Sequence, residues 1–314
     1  MNKSCYLSYA DYIQHFFNTK MQKISVDAGC TCPNRDGTVG RGGCTYCNNQ
    51  TFSPLYCQEQ KSVRQQLEEG KSFFSRKYPA MKYLAYFQSY TNTYGKIDDL
   101  IQKYEEALSV KDVEGLVVGT RPDCMPDILL DYFEDLTRTK YVCIEYGVES
   151  VRNETLRRIN RGHSVERAAE AILRTAERHI QVGVHLILGL PGETHADWMA
   201  QTQWVSELPV NLLKLHQLQI VRGTKMAVEY LENPTAFRLF NPNEYVELLV
   251  EYLEYLRPTL VVERFTSQTP PALLLAPDWK LKNFEFVELL KKKMLSLHTW
   301  QGRLYSDSGP SLFN

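Results

Sequence analysis

Along the chain, short runs dense in β-branched and aromatic residues alternate with longer stretches whose apolar residues recur at helical spacing. The runs are KISVD (23–27), YLAYFQ (83–88), GLVVGT (115–120), YVCIEYG (141–147), VGVHLILG (182–189) and LLKLHQLQI (212–220), with a seventh, TLVVERF (259–265), directly after Pro258. Between them DDLIQKYEEALS (98–109), PDILLDYFEDLTR (126–138) and SVERAAEAILRTAER (164–178) read as amphipathic helices. Pro126 suits a helix start and Ser164 an N-cap, because proline needs no amide partner there and a serine hydroxyl accepts a free first-turn N–H. Two later helices, near 243–256 and 284–297, carry Tyr/Leu stripes that read as core. The alternation predicts about six βα units around a parallel sheet.

Such units form either an open doubly wound sheet or a complete or partial TIM-like barrel, and periodicity does not separate the two. Both place function at the carboxyl ends of the strands. Polar residues gather there: Gln88 to Asn92 after the second strand, Thr120 to Asp123 after the third, Glu145, Glu149 and Ser150 at the fourth, GLPGE (189–193) after the fifth, and His216, Gln217 and Gln219 on the sixth. A cysteine-rich loop follows the first strand, so it opens onto the same face.

Composition narrows the class. The 314 residues are 43% hydrophobic, enough for a sizeable core, and 36 Lys+Arg against 37 Asp+Glu leave a net charge of -1. No global field argues for a polyanion, so any such partner must meet a local patch. The first residues lack the succession of a secretory signal and no segment is apolar enough to span a bilayer, so a cytoplasmic location is expected, with no membrane partner. In a reducing compartment eight cysteines read as metal ligands or buried thiols rather than disulfides. Cys143, inside YVCIEYG, reads as a buried strand residue.

Four of the cysteines fall in CTCPNRDGTVGRGGCTYC, from Cys30 to Cys47. Cys44 and Cys47, two residues apart, supply two thiolates from one turn, and the third comes from Cys30 or Cys32. An extended Cys-x-Cys sends its two side chains to opposite sides, which favours three ligands over four. Three on a four-iron cluster leave one iron open for chemistry, whereas four make a closed structural zinc site. Gly37, Gly40, Gly42 and Gly43 let the loop wrap closely around either.

CPNRDGTVGRGGCTYCNN, together with GTRPDC, EYGVESV, INRGHS and HLILGLPGET, resembles the radical S-adenosylmethionine (SAM) superfamily, and in particular its YhcC/YtqA-type family, similar in its core to the Elongator catalytic subunit. The resemblance implies a partial (βα)6 TIM-like barrel, with a core domain over 1–257 and a C-terminal extension over 258–314 that packs on the barrel and covers its open side. It implies a [4Fe-4S] cluster on Cys32, Cys44 and Cys47, spaced Cys-x11-Cys-x2-Cys, with Cys30 outside the ligand set. The open iron then chelates the amino and carboxylate groups of SAM, whose reductive cleavage yields a 5′-deoxyadenosyl radical. It further implies Glu145 as acceptor for the SAM amino group, Arg161 as partner of its carboxylate, Glu149 as a third pocket residue, and Gly189 and Gly192 as points of close backbone approach to the adenosyl part. Arg121 and Asp123 either face the substrate or pair with each other, and His216 and Gln217 either touch substrate or form a satisfied polar pair at the rim.

The same resemblance implies tRNA as the substrate, through a radical conversion of a wobble-uridine substituent such as carboxymethylaminomethyl to aminomethyl, with a flavodoxin or ferredoxin as electron donor. Arg152, Arg157, Arg158, Arg161 and Arg167, and Lys291 to Lys293 with Arg303, are basic clusters that either contact phosphates or form solvated helix faces. The rival readings are a radical SAM enzyme for a small metabolite or protein, and a zinc-stabilised RNA- or protein-binding module without turnover.

Overall fold

The computed structural model describes residues 4–51, 54–75 and 81–306. Its strands are β1 (Met21–Val26), β2 (Lys82–Phe87), β3 (Val113–Thr120), β4 (Tyr141–Glu149), β5 (Gln181–Leu188), β6 (Leu212–Gln217), β7 (Ile220–Val221), β8 (Val261–Arg264) and β9 (Leu274–Ala276). Seven of them form one parallel sheet in the order β1-β2-β3-β4-β5-β6-β8, curled into a half-barrel, while β7 and β9 make a separate antiparallel pair. The helices are α1 (Tyr9–Phe17), α2 (Pro33–Asp36), α3 (Val63–Ser75), α4 (Ile97–Leu108), α5 (Asp127–Thr137), α6 (Asn153–Arg158), α7 (Val165–Glu177), α8 (His195–Glu207), α9 (Lys225–Glu232), α10 (Pro242–Tyr255) and α11 (Asn283–Ser296). The partial TIM-like barrel expected from the resemblance is therefore the fold. Among the described residues no helix is long and apolar enough to cross a membrane.

Alternation along each strand sorts the two faces. On β4, Val142, Ile144, Tyr146 and Val148 join Phe133, Ala168 and Ile172 in the layer between sheet and helices. Tyr141 and Cys143 point the other way, into the barrel, where they meet Leu84, Val117, Leu212 and Val261 and are capped by Ile13 of α1. One end of the half-barrel is thus plugged by apolar side chains, each contributing roughly 1.5–3 kcal/mol on burial, and the polar residues are left for the other end. Cys143 is a fully buried strand residue, as expected.

Two sequence expectations shift. Ser164 does cap α7, its hydroxyl accepting from the Arg167 amide at 3.3 Å, but Pro126 sits one residue before α5, in the cap position itself. The boundary drawn at 257 also cuts the sheet, because β8 pairs in parallel with β6 and completes the wall instead of packing on it. An unpaired β6 would expose its backbone, and β8 removes that liability. The free edge of β8 is covered in turn by the N-terminal segment, where the Val262 amide donates to the Leu7 carbonyl at 2.9 Å. The buried Gln301 side chain locks the arrangement, accepting from the Leu7 amide at 2.9 Å and donating to the Arg257 and Leu260 carbonyls at 2.8 Å.

Candidate active site at the open end of the half-barrel

A chamber of about 740 Å³ opens at the carboxyl ends of the strands, within the range of sites that hold drug-sized ligands. Its wall includes Cys32, Cys44 and Cys47. Cys30 is not on it: its half-buried thiol packs against the main core, and burial pushes its pKa up to about 11. The Cys-x-Cys spacing behaves as extended chain should, with one thiol to the core and one to the chamber.

The loop between the thiols is held by backbone geometry. Cys32 ends the extended stretch, the single turn of α2 begins with Pro33, and Gly37, Gly42 and Gly43 take positive φ of 99°, 79° and 74°. INRGHS buttresses this loop from outside, since the Thr45 amide donates to the Ile159 carbonyl at 3.0 Å and the Asn160 side chain to the Gly43 carbonyl at 2.8 Å. Cys44 Sγ accepts from Arg161 Nη1 at 3.5 Å and from Asn34 Nδ2 at 3.6 Å. Burial, followed by the neighbouring Cys44, pushes the Cys47 thiol up to about 12. Among the described residues no group of three His, Cys, Asp or Glu side chains is arranged to hold a single metal ion.

EYGVESV becomes intelligible at the top of β4. The strand bulges between Gly147 and Glu149, and Glu149 sits at φ 73°, a region non-glycine residues avoid. A side chain on Gly147 would bring its Cβ within 2.5 Å of Glu149 Oε1 and 2.8 Å of Arg161 Nη2, so glycine is what lets these two groups lie over the strand. Arg161 donates to the Gly147 carbonyl and approaches Glu149 at 3.8 Å. Beyond that approach the Glu149 carboxylate accepts no hydrogen bond among the described residues, although its side chain is only 13% exposed and lines the chamber.

Glu145 lies deeper and is engaged. Its Oε1 takes Lys23 at 2.8 Å, and its Oε2 takes Lys214 at 2.6 Å and His185 at 3.0 Å. Glu263 closes the group, 2.7 Å from Lys23 and 3.1 Å from Lys214. Burial alone would raise the Glu145 pKa, but Lys214 and Lys23 pull it well below the usual carboxylate range. His216 stands on the wall beside this group, 5.9 Å ring to ring from His185, and burial holds its imidazole neutral by lowering its pKa well below the ordinary value.

GLPGE is a turn, and its glycines are off the chamber wall. Gly189, at φ 97°, faces Phe240, whose ring would be 3.0 Å from a Cβ; Gly192, at φ 86°, faces open space. The contacts of β5 with the chamber come instead from His185 and Ile187. Glu193 ends the motif half-buried beside α8, accepting from Ser150 Oγ and, at 3.1 Å, from Trp198 Nε1, and desolvation pushes its pKa up to about 7. Arg121 and Asp123 are a forked pair at 2.9 and 2.8 Å, and Arg121 also donates to the Arg161 carbonyl at 2.8 Å. Gln217 is a satisfied rim residue, accepting from the Ser267 amide at 2.8 Å.

The basic clusters singled out from sequence are largely engaged. Arg152 pairs with Glu154 and Asp197, Arg158 with Glu229, Arg167 with Glu170, Lys291 with Glu288, Lys293 with Glu247 and Arg303 with Glu254. The exposed cations that line the chamber or adjoin the cysteine loop are others: Arg35, Arg41, Arg222, Lys225 and Arg264. Among the described residues none of these five has a carboxylate within salt-bridge distance. Arg35 and Arg41 were legible, since both fall inside the cysteine motif.

Comparison with known proteins decides the family. The radical SAM superfamily model matches residues 33–204, and the Radical_SAM C-terminal domain model matches residues 210–296. The chain belongs to the radical SAM superfamily. It is 32% identical to YtqA of Bacillus subtilis over 94% of this chain and 91% of that protein, and 37% identical to YhcC of Escherichia coli over 84% of each. Elongator complex protein 3 of Schizosaccharomyces pombe is 28% identical over 55% of this chain and 31% of its own length. In fold, the archaeal Elp3 of Methanocaldococcus infernus superposes with a TM-score of 0.65, covering 90% of this chain and 64% of that one, at 16% identity.

Radical SAM membership implies a [4Fe-4S] cluster and SAM, and the donor set fits both. Three thiols share one wall of the chamber, one of them already accepting from Arg161 and Asn34, the kind of donor that supports a ligating sulfur. A sparsely bonded carboxylate and a guanidinium stand beside them, complementary to the two charges of an amino-acid moiety.

Proposed function

We propose that the protein is a radical SAM enzyme that holds a [4Fe-4S] cluster on Cys32, Cys44 and Cys47 and modifies a wobble-uridine side chain of tRNA in the cytoplasm, converting a carboxymethylaminomethyl to an aminomethyl group. When bound, cluster and SAM supply reductive radical chemistry that starts with hydrogen abstraction from an unactivated carbon. Glu149 receives the SAM ammonium and the Arg161 fork its carboxylate. Glu145 is the other carboxylate that the resemblance suggests for the ammonium; its committed oxygens make Glu149 the better assignment. The observation that carries the nucleic-acid reading is the set of exposed cations beside the cysteine loop and the chamber, among them Arg35, Arg41 and Lys225, free of carboxylates among the described residues, where phosphates meet no internal competitor. Partial similarity to Elongator complex protein 3 points the same way.

The test is anaerobic. The protein is reconstituted with iron and sulfide, reduced chemically or by a flavodoxin or ferredoxin, given SAM, and followed for 5′-deoxyadenosine with and without tRNA from cells lacking the gene. Formation that rises with tRNA supports the proposal. Formation indifferent to tRNA favours a small-metabolite or protein substrate, and a colourless zinc protein without turnover favours a binding module.

A further inference from the structure

Tyr90 is the anomaly of the chamber wall. It lies in the loop after β2 at φ 62°, a backbone region that L residues rarely adopt, and the residue is 37% exposed. Packing does not explain the strain, because among the described residues no other ring lies against it. Among the described residues its ring partner is Arg35, whose guanidinium carbon is 5.6 Å from the ring centroid. Tyr86 on the same wall is the contrast: buried, with Lys214 and Lys23 at 4.4 and 5.2 Å from its centroid, it is an integral part of the floor. Next to Tyr90, Thr91 is 1% exposed, lines the chamber, and its hydroxyl has no hydrogen-bond partner among the described residues. Both residues adjoin the cysteine loop, since the Thr91 amide donates to the Thr31 carbonyl at 3.3 Å.

An exposed aromatic ring, an unpaired arginine beside it and an orphaned hydroxyl make a surface suited to a planar, hydrogen-bonding ligand. Proteins that read single-stranded RNA use these groups: bases stack on aromatic rings or guanidinium planes and bond through their edges, and a base acted on chemically leaves its stack to enter a pocket. We propose that Tyr90, flanked by Arg35, is the seat on which the extruded substrate base stacks inside the chamber, with the Thr91 hydroxyl bonding its edge. This deepens the tRNA reading and rests on it. The strained backbone at Tyr90 then has a purpose, to turn the ring toward the chamber and away from the core.

The test uses the full-length, cluster-loaded protein and an anticodon stem-loop RNA with a wobble uridine. Tyr90→Trp puts a reporter in the seat, and the wild type, whose four tryptophans are off the chamber wall, gives the background. RNA is expected to quench the added fluorescence and SAM alone to leave it unchanged. Tyr90→Leu is expected to weaken RNA binding roughly 5- to 150-fold, the span for loss of one base–aromatic stack, while Tyr90→Phe stays close to wild type. Quenching by SAM alone assigns the ring to the adenine of the cofactor and overturns the proposal, as does undiminished RNA binding by Tyr90→Leu. Wild-type protein that binds no RNA overturns the tRNA reading itself, and the seat with it.

Discussion

The floor and the rim of one chamber carry charged residues in opposite states. On the floor Lys23, Lys214, Glu145, Glu263 and His185 are joined by contacts of 2.6–3.1 Å, and Glu145 is 1% exposed. At the rim Glu149 has one long approach to Arg161, and Arg35 and Arg264, like Arg41 and Lys225 beside the cysteine loop, have no carboxylate within salt-bridge distance among the described residues. Buried charges must be paired or desolvation makes them prohibitively costly, whereas exposed charges stay solvated and cost little alone. A polar residue at a strand end is therefore no guide to ligand contact until its partners are known. The floor residues consume one another, and the rim residues are free to meet a ligand.

The sharpest division lies within the cysteine loop. Cys32→Ala, Cys44→Ala and Cys47→Ala are each expected to abolish the cluster, while Cys30→Ala keeps it, read from iron and sulfide content and visible absorbance after reconstitution. Loss of the cluster in Cys30→Ala would end the distinction between core-facing and chamber-facing thiols. On the floor, Lys214→Met leaves two carboxylates to Lys23 and should cost about 3–5 kcal/mol in denaturant unfolding, the usual penalty for breaking a buried pair. The rim substitution Lys225→Met should leave the unfolding midpoint where it is; equal costs would mean that floor and rim are not electrostatically different.

Desolvated carboxylates with and without a paired cation also diverge in pH dependence. Glu145 is held below its ordinary value, so its contribution is present above the unfolded pKa and lost as pH falls through the folded one. Glu193 has no cation within salt-bridge distance among the described residues and is raised from 4.5 to about 7, so its folded state binds the extra proton: its contribution is present below 4.5 and lost as pH rises toward 7. Glu193→Gln should flatten the melting temperature across that window, removing a slope worth about 3 kcal/mol in total at ~1.4 kcal/mol per pH unit. An unchanged slope would place the Glu193 titration elsewhere. The smallest effect belongs to the rim: Glu149→Gln should weaken SAM binding by roughly tenfold, as loss of one charge-assisted hydrogen bond does, measured by calorimetry on the reconstituted protein. Tight binding by this variant would return the ammonium to another acceptor.

Much of the architecture was legible because strand and helix periods are local properties. All seven strand runs correspond to strands of the curled sheet, and Ser164 caps its helix as its chemistry dictates. The cysteine loop and EYGVESV were legible for the same reason, since their spacing and glycines describe local backbone. The seat of β8 was not, because TLVVERF reads as a strand wherever it pairs, and only the open edge of β6 decides where that is.

The sequence by itself determined the βα alternation and the family, both of which depend on residue type and spacing. Tertiary structure decided which charges are spent on each other. Lys23 and Glu145 are 122 residues apart, and so far separated that no local pattern announces their 2.8 Å contact. Nor does sequence show that Arg158 is taken by Glu229 while Arg35 stays open beside Tyr90. Electrostatic energy depends on distance in space and on burial, and both come into being only when the half-barrel closes its floor and leaves its rim in water.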